Sequence, residues 1–522
     1  MFDYIIVGAG TAGCVLASRL SEDRHKRVLL LEAGGPDKKR EIRIPLAFSK
    51  LFRSEIDWNY STEPESHLAN RRLYWPRGRV LGGSSSMNAM IYIRGNPADY
   101  DRWRELGNGN WGFTDVLAYF KRAENQQRGA SEFHGAGGPL DVSDLREKHP
   151  LASAFIAAAE ETGFSRNDDF NGASQEGVGF YQVTQRRGRR WSAADAYLRP
   201  ALNRRNLKIE TRAQASEILF DKNRAIGVRY FQGGALNEAR AAREVILAGG
   251  TINSPQLLML SGIGPADSLR QLGIEVVVDL SGVGENLQDH LVMVVEYECT
   301  KPITLETAES LPNYLRFLLF GSGPLTSNVA EAGIFTKTRK DSRAPDLQIL
   351  FGPCYYQKHG FNPPSDHRYS IGPTLIAPRS RGTISLRSKN PLDAPMIRAN
   401  YLAGDADMRV LVEGVKISRR IGGARAFAPY RGAETHPGIA VKSVEDIAES
   451  IRATAETLYH PVGTCKMGTD AMAVVDPRLR VRGVEGLRVA DASVMPEIIA
   501  GNTNAPVVMI AEKAADIIRE DS

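Results

Sequence analysis

The sequence has few cysteines. The four in 522 residues are Cys14, Cys299, Cys354 and Cys465, and none has a partner at the CxxC spacing of zinc sites and redox motifs. So sparse and scattered a set argues against a disulfide framework and against a structural metal. We therefore expect a protein without a bound metal, from a reducing compartment.

Long hydrophobic runs are also lacking. The densest is YLRFLLF at 314–320, which is far shorter than the roughly 20 apolar residues that cross a bilayer. It predicts a buried helix, a lid or a subunit contact. The first residues, MFDYIIVGAG, run directly into a strand pattern, without the charged segment, apolar core and cleavage site of a secretory signal. These features predict a cytoplasmic protein with no transmembrane segment.

Neither sign of charge dominates. Lys and Arg number 66 against 61 Asp and Glu, a formal net charge of +5. The basic residues are scattered apart from short clusters at 186–190 and 204–205, so nucleic-acid binding is not expected. Hydrophobic residues make up 42% and charged residues 24% of the chain. These values are ordinary for globular proteins, and the length predicts two or three domains.

The N-terminal region has a strand, turn, helix, strand pattern, written FDYIIV (2–7), GAGTAG (8–13), CVLASRLSED (14–23) and KRVLLLEAG (26–34). Gly8, Gly10 and Gly13 have the GxGxxG spacing, which permits a tight turn, backbone approach to a pyrophosphate and close packing of the helix on the strand. Glu32 ends the second strand, where a carboxylate accepts hydrogen bonds from ribose hydroxyls. A ligand-free turn needs the same glycines, but their setting favours a dinucleotide, either NAD or FAD.

Three later stretches add to this pattern. AREVILAGG at 242–250 is a second apolar strand that ends in glycines, which indicates one large cofactor. GRVLGGSSSMNAMIYIRG at 78–95 places small residues where backbone could lie flat against a planar ligand; an ordinary glycine–serine loop is the alternative. Residues 291–450 contain β-rich runs punctuated by Pro and Gly, which predicts an antiparallel sheet in a second domain.

The stretches 78–95 and GTINSPQLLMLSGIG (250–264) resemble the two signature patterns of the glucose–methanol–choline (GMC) family of FAD-dependent oxidoreductases. Nearly the whole chain shares the resemblance. Further matches are HGAGGPLDV (134–142), AYLRPA (196–201), GVGENLQDH (282–290), YHPVGTCKMG (459–468) and LRVADASVMPEIIAGNTNAP (487–506). The resemblance implies an α/β plus α+β fold, with a Rossmann-like, glutathione-reductase-type FAD-binding domain and a separate antiparallel-sheet substrate domain.

The expected domains are discontinuous. We predict an FAD-binding domain from residues 1–150, 190–290 and 455–522, and a substrate-binding domain from 151–189 and 291–454. In the choline oxidase branch of the family, a histidine linked covalently to FAD stands at the position of Met87. The methionine here implies FAD that is bound non-covalently.

The resemblance implies cofactor contacts residue by residue. Contacts to the ADP half are implied for Gly8, Gly10, Gly13, Glu32 and Ala215. Flavin-side contacts are implied for Gly83, Ser84, Asn88 and Ala89. Contacts at the pyrophosphate and isoalloxazine are implied for Asp491, Ala492, Asn504 and Ala505. Neighbouring residues complete the expected site: Thr11, Ala12, Ala33, Trp75, Arg77, Val80, Gly82, Met90, Ala248 and Gly249.

LYHPVGTCKMG at 458–468 holds the candidate for chemistry. By itself, His460 could be a metal ligand with Cys465, the base of a nucleophile, a proton acceptor beside a cofactor, or a packed core histidine. The stretch lacks the further ligands of a zinc site, and a histidine has a suitable pKa to take an alcohol proton. In the resemblance, His460 matches the catalytic histidine, and Asn504 matches its partner, which orients the substrate oxygen. On local grounds Asn504 also suits a helix start.

Together these features predict oxidation of a primary alcohol to an aldehyde. His460 would take the proton, flavin N5 the hydride, and oxygen, a quinone or a carrier would be the electron acceptor. Choline dehydrogenases have a histidine where Leu350 stands, which favours uncharged aliphatic or aromatic alcohols over choline. The family also includes hydroxynitrile lyases and a light-driven fatty-acid decarboxylase, which has a cysteine where Pro378 stands and lacks the His460 counterpart. These activities and choline oxidation are the alternatives.

Overall fold

The computed structural model describes residues 1–339 and 342–521. Its helices in chain order are α1 (Thr11–Leu20), α2 (Pro97–Glu105), α3 (Phe113–Ala123), α4 (Pro150–Glu161), α5 (Arg199–Ala201), α6 (Gly250–Leu260), α7 (Ala266–Gln271), α8 (Leu311–Phe320), α9 (Asp405–Gly423), α10 (Val444–Thr454) and α11 (Asn504–Glu520).

Two large sheets dominate the described residues. Their strands in chain order are β1 (Phe2–Val7), β2 (Val28–Glu32), β3 (Gly177–Phe180), β4 (Leu207–Thr211), β5 (Ala213–Asp221), β6 (Arg224–Gln232), β7 (Ala235–Leu247), β8 (Leu291–Val292), β9 (Val295–Cys299), β10 (Ala332–Thr336), β11 (Leu347–Gly352), β12 (Arg368–Leu375), β13 (Arg431–His436), β14 (Glu456–Thr457) and β15 (Leu487–Val489). Short strand pairs are Tyr60–Ser61 with Tyr74–Trp75, Glu124–Gln126 with Leu140–Val142, Gln185–Arg186 with Arg189–Arg190, Ile263–Gly264 with Val278–Asp279, and Thr383–Ser385 with Met396–Arg398.

The first sheet has the strand order β4–β2–β1–β7–β6–β5, and β15 also pairs with β7. β4, β2, β1, β7 and β15 pair in parallel, whereas β5, β6 and β7 pair antiparallel. Every residue of β2, VLLLE, is buried, as expected for a parallel strand that is covered on both faces. α1 packs on β1 and β2 and against α11. The carboxyl ends of the parallel strands therefore lie side by side and face the N-terminal ends of helices.

The second sheet is antiparallel, with the order β13–β9–β12–β11–β10–β3. α9 packs across β11 and β12. Because side chains alternate between the two faces of a strand, Ile349 and Phe351 of β11 join the hydrophobic core, whereas Leu350 and Gly352 line a cavity. The sheet thus carries a helix-covered face and a face that is open to a ligand.

Close backbone contacts fix the glycine-rich turn between β1 and α1. Gly8 has φ +100°, in the left-handed region that favours glycine. A Cβ atom at Gly13 would lie 1.8 Å from the carbonyl oxygen of Gly8, and one at Gly83 would lie 2.6 Å from the Cα of Gly10. The turn therefore packs tightly on its own helix and on the loop around residue 83.

The architecture confirms the predicted fold class, a parallel-sheet domain with helices beside a separate antiparallel sheet. Strands of the first sheet come from 1–150, 190–290 and 455–522. Strands of the second come from 151–189 and 291–454, except that β14 lies just beyond 454. The domain boundaries themselves stay a prediction.

The apolar run at 314–320 differs from one of its predicted forms. It lies in α8, where Phe317 is buried but Leu318, Leu319 and Phe320 are largely exposed. A buried helix is therefore wrong for this segment. Within the described residues, no helix has the length and hydropathy needed to cross a membrane.

Replacement of Gly13 by alanine tests the packing of the turn. In an ordinary helix this change raises stability by about 0.5–1 kcal/mol. Here we expect the free energy of unfolding to fall by about 1–3 kcal/mol, because the added methyl group overlaps the Gly8 carbonyl. Urea unfolding measures the difference. Gly109→Ala is the control, since no atom lies within 4 Å of its added carbon. Equal stability of both variants would contradict the packing argument.

Candidate active site

A deep cavity lies between the two sheets. It contains about 2290 Å³ of space free of protein atoms, including the solvent at its opening. Val7, Glu32 and Leu247, at the carboxyl ends of β1, β2 and β7, form one wall, and Val292 and Leu350 of the second sheet form another. Ligands of open parallel sheets bind beyond the carboxyl ends of the strands. The cavity is therefore the candidate site.

Three helices begin at the cavity wall. Thr11, Gly250 and Asn504 are the first residues of α1, α6 and α11, and all three line the cavity. Helix N-termini carry unpaired N–H groups and a partial positive charge. Their convergence from distant parts of the chain favours an anionic group, such as the pyrophosphate of a dinucleotide.

Glu32 lies where β2 meets this wall. One carboxylate oxygen accepts the backbone N–H of Ala9 and the other that of Gly34, both at 2.8 Å. Burial raises the pKa of Glu32 to about 7, although the two backbone donors oppose the rise. Each oxygen keeps a second lone pair. Glu32 therefore closes the turn and still offers acceptors to ribose hydroxyls in the cavity.

The loop after residue 82 forms the adjacent wall. Residues Gly83–Ser86 form a 3₁₀ turn that begins after Gly82 at φ +88°. The side-chain oxygen of Asn88 accepts from the backbone N–H of Met90 at 3.0 Å and from Arg190 at 2.7 Å. Arg190 is almost fully buried. Sequence reasoning missed this arginine, which anchors the loop to the segment that precedes β4.

Most of the expected cofactor contacts meet in this one cavity. Lining residues among them are Gly8, Gly10, Thr11, Glu32, Ala33, Arg77, Gly83, Ser84, Asn88, Ala89, Met90, Ala215, Ala248, Gly249, Asp491, Ala492 and Asn504. Residues that do not line it are Ala12, Gly13, Trp75, Val80, Gly82 and Ala505, all of them buried behind the wall. The glycine cradle and the helix ends fit a dinucleotide, while the individual contacts stay predictions.

His460 lies at the far end of the cavity and is held from two sides. Its Nδ1 lies 3.0 Å from Nδ1 of His290, and its Nε2 lies 3.3 Å from Nδ2 of Asn502. An amide nitrogen only donates, so Nε2 is the accepting nitrogen of His460. His460 Nδ1 therefore carries the proton and donates it to His290. This tautomer directs the unprotonated nitrogen toward Asn502.

The asparagine beside His460 is a correction to the sequence prediction. We expected Asn504, but its side-chain oxygen accepts from the hydroxyl of Thr11 at 2.8 Å, and the side chain that reaches His460 is that of Asn502. α11 begins at Asn504, with Thr503 at its N-cap. Asn504 thus joins two helix N-termini, and Asn502 precedes the helix. The buried side-chain oxygen of Asn502 forms no hydrogen bond with the described residues.

The surroundings keep both imidazoles neutral. Burial, reinforced by His290 and Arg77, holds the pKa of His460 well below 6.5. Burial lowers the pKa of His290 to about 3. The carboxylate of Asp289 accepts the backbone N–H of His460 at 2.7 Å and the hydroxyl of Thr457 at 2.5 Å. His460 is therefore a fixed, uncharged base at neutral pH.

The part of the cavity around His460 is largely apolar. Apolar and aromatic side chains that line it are Phe48, Phe52, Met87, Val292, Val294, Val329, Leu350, Tyr356 and Tyr459. Arg77, which donates to the backbone carbonyl of Tyr459 at 2.8 Å, is a cation beside them. Glu32 and Asp491 are the acidic residues that line the cavity within the described chain, and both lie at its helix-end side. The Asp491 carboxylate accepts the backbone N–H of Gly250 at 2.8 Å at the start of α6. Among the described residues, therefore, no carboxylate lines the cavity next to His460.

Sequence reasoning missed most of this end. His290 lies in GVGENLQDH, a stretch that was recognised without a role for its last residue. Phe48, Phe52 and Tyr459 lie outside the glycine-rich motifs. Their contacts with the cavity depend on tertiary packing, for which the local sequence has no signal.

Cys465 and Lys466, which follow His460 in the same stretch, do not line the cavity. Cys465 is buried, and burial raises the pKa of its thiol. Lys466 forms an ion pair with Asp470 at 3.0 Å. In the part of the chain that the structure describes, no group of three or more His, Cys, Asp or Glu side chains could hold a metal ion.

Comparison with known proteins identifies the family of the chain. Two family models, both described as GMC oxidoreductase, match residues 2–292 and 378–511. The chain is 47% identical to the alcohol dehydrogenase [acceptor] of Pseudomonas putida, over 99% of this chain and 96% of that one. It is also 47% identical to the mitochondrial choline dehydrogenase of Homo sapiens, over 99% and 90% of the two chains.

Solved structures agree with the fold. The pyridoxine 4-oxidase of Mesorbium loti matches with a TM-score of 0.91 at 34% identity, over 99% of each chain. A formate oxidase variant of Aspergillus oryzae RIB40, studied for FAD modification, matches with a TM-score of 0.93 at 27% identity, over 100% and 98% of the chains. The family models match more than half of the chain, and the relatives cover nearly all of it. The chain belongs to the GMC oxidoreductase family, and its cofactor is FAD.

Proposed function

We propose that this GMC oxidoreductase oxidises uncharged primary alcohols, aliphatic or aromatic, to aldehydes, with FAD held non-covalently. The observation that carries the proposal is the unprotonated Nε2 of His460 beside Asn502, at the apolar end of the cofactor cavity. A base, a hydrogen-bond donor and a largely apolar wall are the features that such a substrate requires. The relative from Pseudomonas putida, named an alcohol dehydrogenase, supports the alcohol as substrate class.

The chain's own residues handle the proton. His460 Nε2 takes the hydroxyl proton of the alcohol. His290 holds the His460 ring in place by accepting a hydrogen bond from its Nδ1–H. The amide N–H of Asn502 donates to the substrate oxygen as negative charge develops there. Bound FAD supplies the acceptor for the hydride that leaves the α-carbon. Loss of one proton and one hydride turns the alcohol into the aldehyde.

The side chains that line the cavity around His460 determine which alcohols are bound. A quaternary ammonium group would be buried there without a carboxylate, at a cost of several kcal/mol. Glu331 is next in sequence to the cavity-lining Ala330, but its oxygens accept from the Ser327 hydroxyl at 2.6 Å and the His149 backbone N–H at 2.7 Å. Burial raises the pKa of Glu331 to about 7, so it is only partly ionised at neutral pH. The site therefore suits uncharged substrates.

The non-redox alternatives find less support. Pro378 stands where the light-driven decarboxylase has its cysteine, and Cys354 does not line the cavity. His460, which that branch lacks, is present and hydrogen-bonded. The Pseudomonas putida and Homo sapiens relatives differ in their named substrates, so the choice between a neutral alcohol and choline rests on the side chains of the cavity wall.

His460→Ala tests the base. We expect the rate of flavin reduction by alcohol under anaerobic conditions to fall about 10²- to 10⁴-fold, because proton removal by a positioned base contributes that much. Stopped-flow absorbance measures the rate, and the flavin spectrum checks that FAD is retained. Lys466→Ala, in the same stretch, is the matched control and should reduce its flavin normally. Unchanged reduction in His460→Ala would contradict the assignment.

The pH profile of the unmodified enzyme is a second readout of this base. His460 accepts a proton only when neutral, and its pKa lies well below 6.5. The reduction rate should therefore stay level from alkaline pH down to 6.5 and fall only at lower pH. An inflection above pH 6.5 that disappears in His460→Ala would contradict the depressed pKa.

A pair of variants separates the two asparagines. We expect Asn502→Ala to lower the reduction rate about 10²- to 10³-fold, as loss of a donor to a developing oxyanion does, while FAD stays bound. Asn504→Ala should instead weaken FAD retention, because its bond to Thr11 joins two helix N-termini. Stopped-flow reduction and FAD content after dialysis measure the two effects. If Asn504→Ala lowered the reduction rate more than Asn502→Ala does, the result would support our sequence prediction that Asn504 orients the substrate oxygen.

The substrate class is tested with choline and its uncharged analogue of the same shape, 3,3-dimethyl-1-butanol. We expect kcat/KM for choline to be about 100-fold lower, since an unpaired buried cation loses about 3 kcal/mol or more. Benzyl alcohol and 1-octanol complete the panel, assayed with an artificial electron acceptor. If choline is the better member of the pair, the proposed substrate class is wrong, whereas the role of His460 is unaffected.

A further inference from the structure

α8 presents an exposed apolar surface. Six of the fourteen large apolar side chains that are exposed in the described residues belong to this one helix. They are Leu311, Tyr314, Leu315, Leu318, Leu319 and Phe320, here called the apolar patch. Leu311, Leu319 and Phe320 are 74%, 71% and 69% exposed. Scattered apolar residues on a surface are ordinary, but a contiguous group marks an interaction site.

The helix is held to the protein by its opposite side. Phe317 is buried with Ile44, Ala47 and Leu325. The single charged residue of the helix, Arg316, forms an ion pair with Glu147. Its orientation is thus fixed, and the apolar patch faces outward.

A basic hairpin lies against the end of the helix. A Cβ atom at Gly188 would lie 2.2 Å from the carbonyl oxygen of Gly321, and one at Gly321 would lie 2.3 Å from that of Arg187. The guanidinium of Arg189 lies 5.5 Å from the ring centre of Phe317. Arg187 and Arg189 are exposed and form no ion pair with the described residues. Two unpaired positive charges therefore border the apolar patch.

Two ion pairs lie near this surface. Arg186 of the hairpin meets Asp141 at 3.1 Å, and Lys50 meets Glu309, just before α8, at 2.5 Å. Asp141 and Glu309 are therefore each neutralised by a basic partner. Arg187 and Arg189 remain as positive charges beside the patch.

We propose that the apolar patch and the arginine hairpin dock this chain on an anionic phospholipid bilayer. A helix with an apolar face bordered by basic residues lies in the plane of the membrane interface, with its apolar side chains at the acyl boundary and its cations at the lipid phosphates. The charge pattern favours lipid over a second copy of the chain, because lipid phosphates are anionic, whereas a second copy presents the same apolar and basic surface.

The docked surface backs onto the cavity wall. Ala47 packs with Phe317 of α8, and the next residue, Phe48, lines the cavity near His460. Leu305 and Ala308, just before α8, pack with Phe48 and other cavity-lining residues. Docking would therefore place the bilayer outside the substrate end of the cavity. The consequence that lipid-dissolved alcohols are presented there rests on the proposed function.

Vesicle co-sedimentation of the FAD-loaded protein tests docking without any turnover. We expect binding to vesicles of phosphatidylcholine mixed with phosphatidylglycerol, and weaker binding to phosphatidylcholine alone. L319E/F320E should abolish binding. R187Q/R189Q should weaken binding to the mixed vesicles about 25-fold, since each arginine contributes about fivefold, and should leave binding to neutral vesicles unchanged.

The matched control is L236E/I439E, which places the same charges on exposed apolar residues elsewhere, 54% and 74% exposed. It should bind as the unmodified protein does. Equal loss in this control, or no binding of the unmodified protein to either vesicle, would overturn the proposal. So would light scattering that shows an oligomer which L319E/F320E dissociates, because a second copy would then cover the patch. Since substrate is absent, failure here leaves the proposed function untouched.

Discussion

The hydrogen bond between His290 and His460 is the constraint on which the site depends. Two nitrogens that face each other at 3.0 Å can share only one proton. The amide group of Asn502 occupies the other side of His460 as a donor, so the shared proton belongs to His460 Nδ1. A single choice of tautomer therefore follows from two contacts, and it leaves an unprotonated nitrogen at the substrate end. Neither the contact with His290 nor the contact with Asn502 would define the tautomer of His460 alone.

The cofactor half of the cavity depends on backbone rather than on side chains. Gly8, Gly13 and Gly83 each stand where a Cβ atom would overlap another part of the main chain. These contacts join the start of the chain to the loop after residue 82. The start of α11 joins them through the bond between Thr11 and Asn504. Segments nearly 500 residues apart thus present their N–H groups to one place, where an anion compensates for their converging dipoles.

The difference between local and long-range contacts explains which parts of the structure the sequence could predict. GAGTAG, with its strand, helix and Glu32, is a local pattern, because the turn that it forms involves neighbours in sequence, and the fold class follows from such patterns. The partner of His460 is not local. Asn502 and Asn504 are two residues apart at a helix start, and their roles depend on where the helix begins, which sequence places only within a few residues. His290 is 170 residues from His460, and the exposure of α8 depends on what the rest of the chain leaves uncovered.

The segment Pro45–Leu51 has apolar side chains on two sides, one facing the cavity and one facing α8, and the two sides have different consequences. On the inside, Phe48 helps to exclude water from His460, and this lowers the pKa of the ring, because a charged imidazole would lose its hydration. On the outside, Ala47 receives Phe317 of α8, whose remaining apolar side chains stay in water. Exposure of these apolar side chains to water is unfavourable for a free protein. Burial of these side chains in a lipid interface would remove that cost without a change in the cavity wall, so a base kept neutral by its own burial is compatible with a surface that binds lipid.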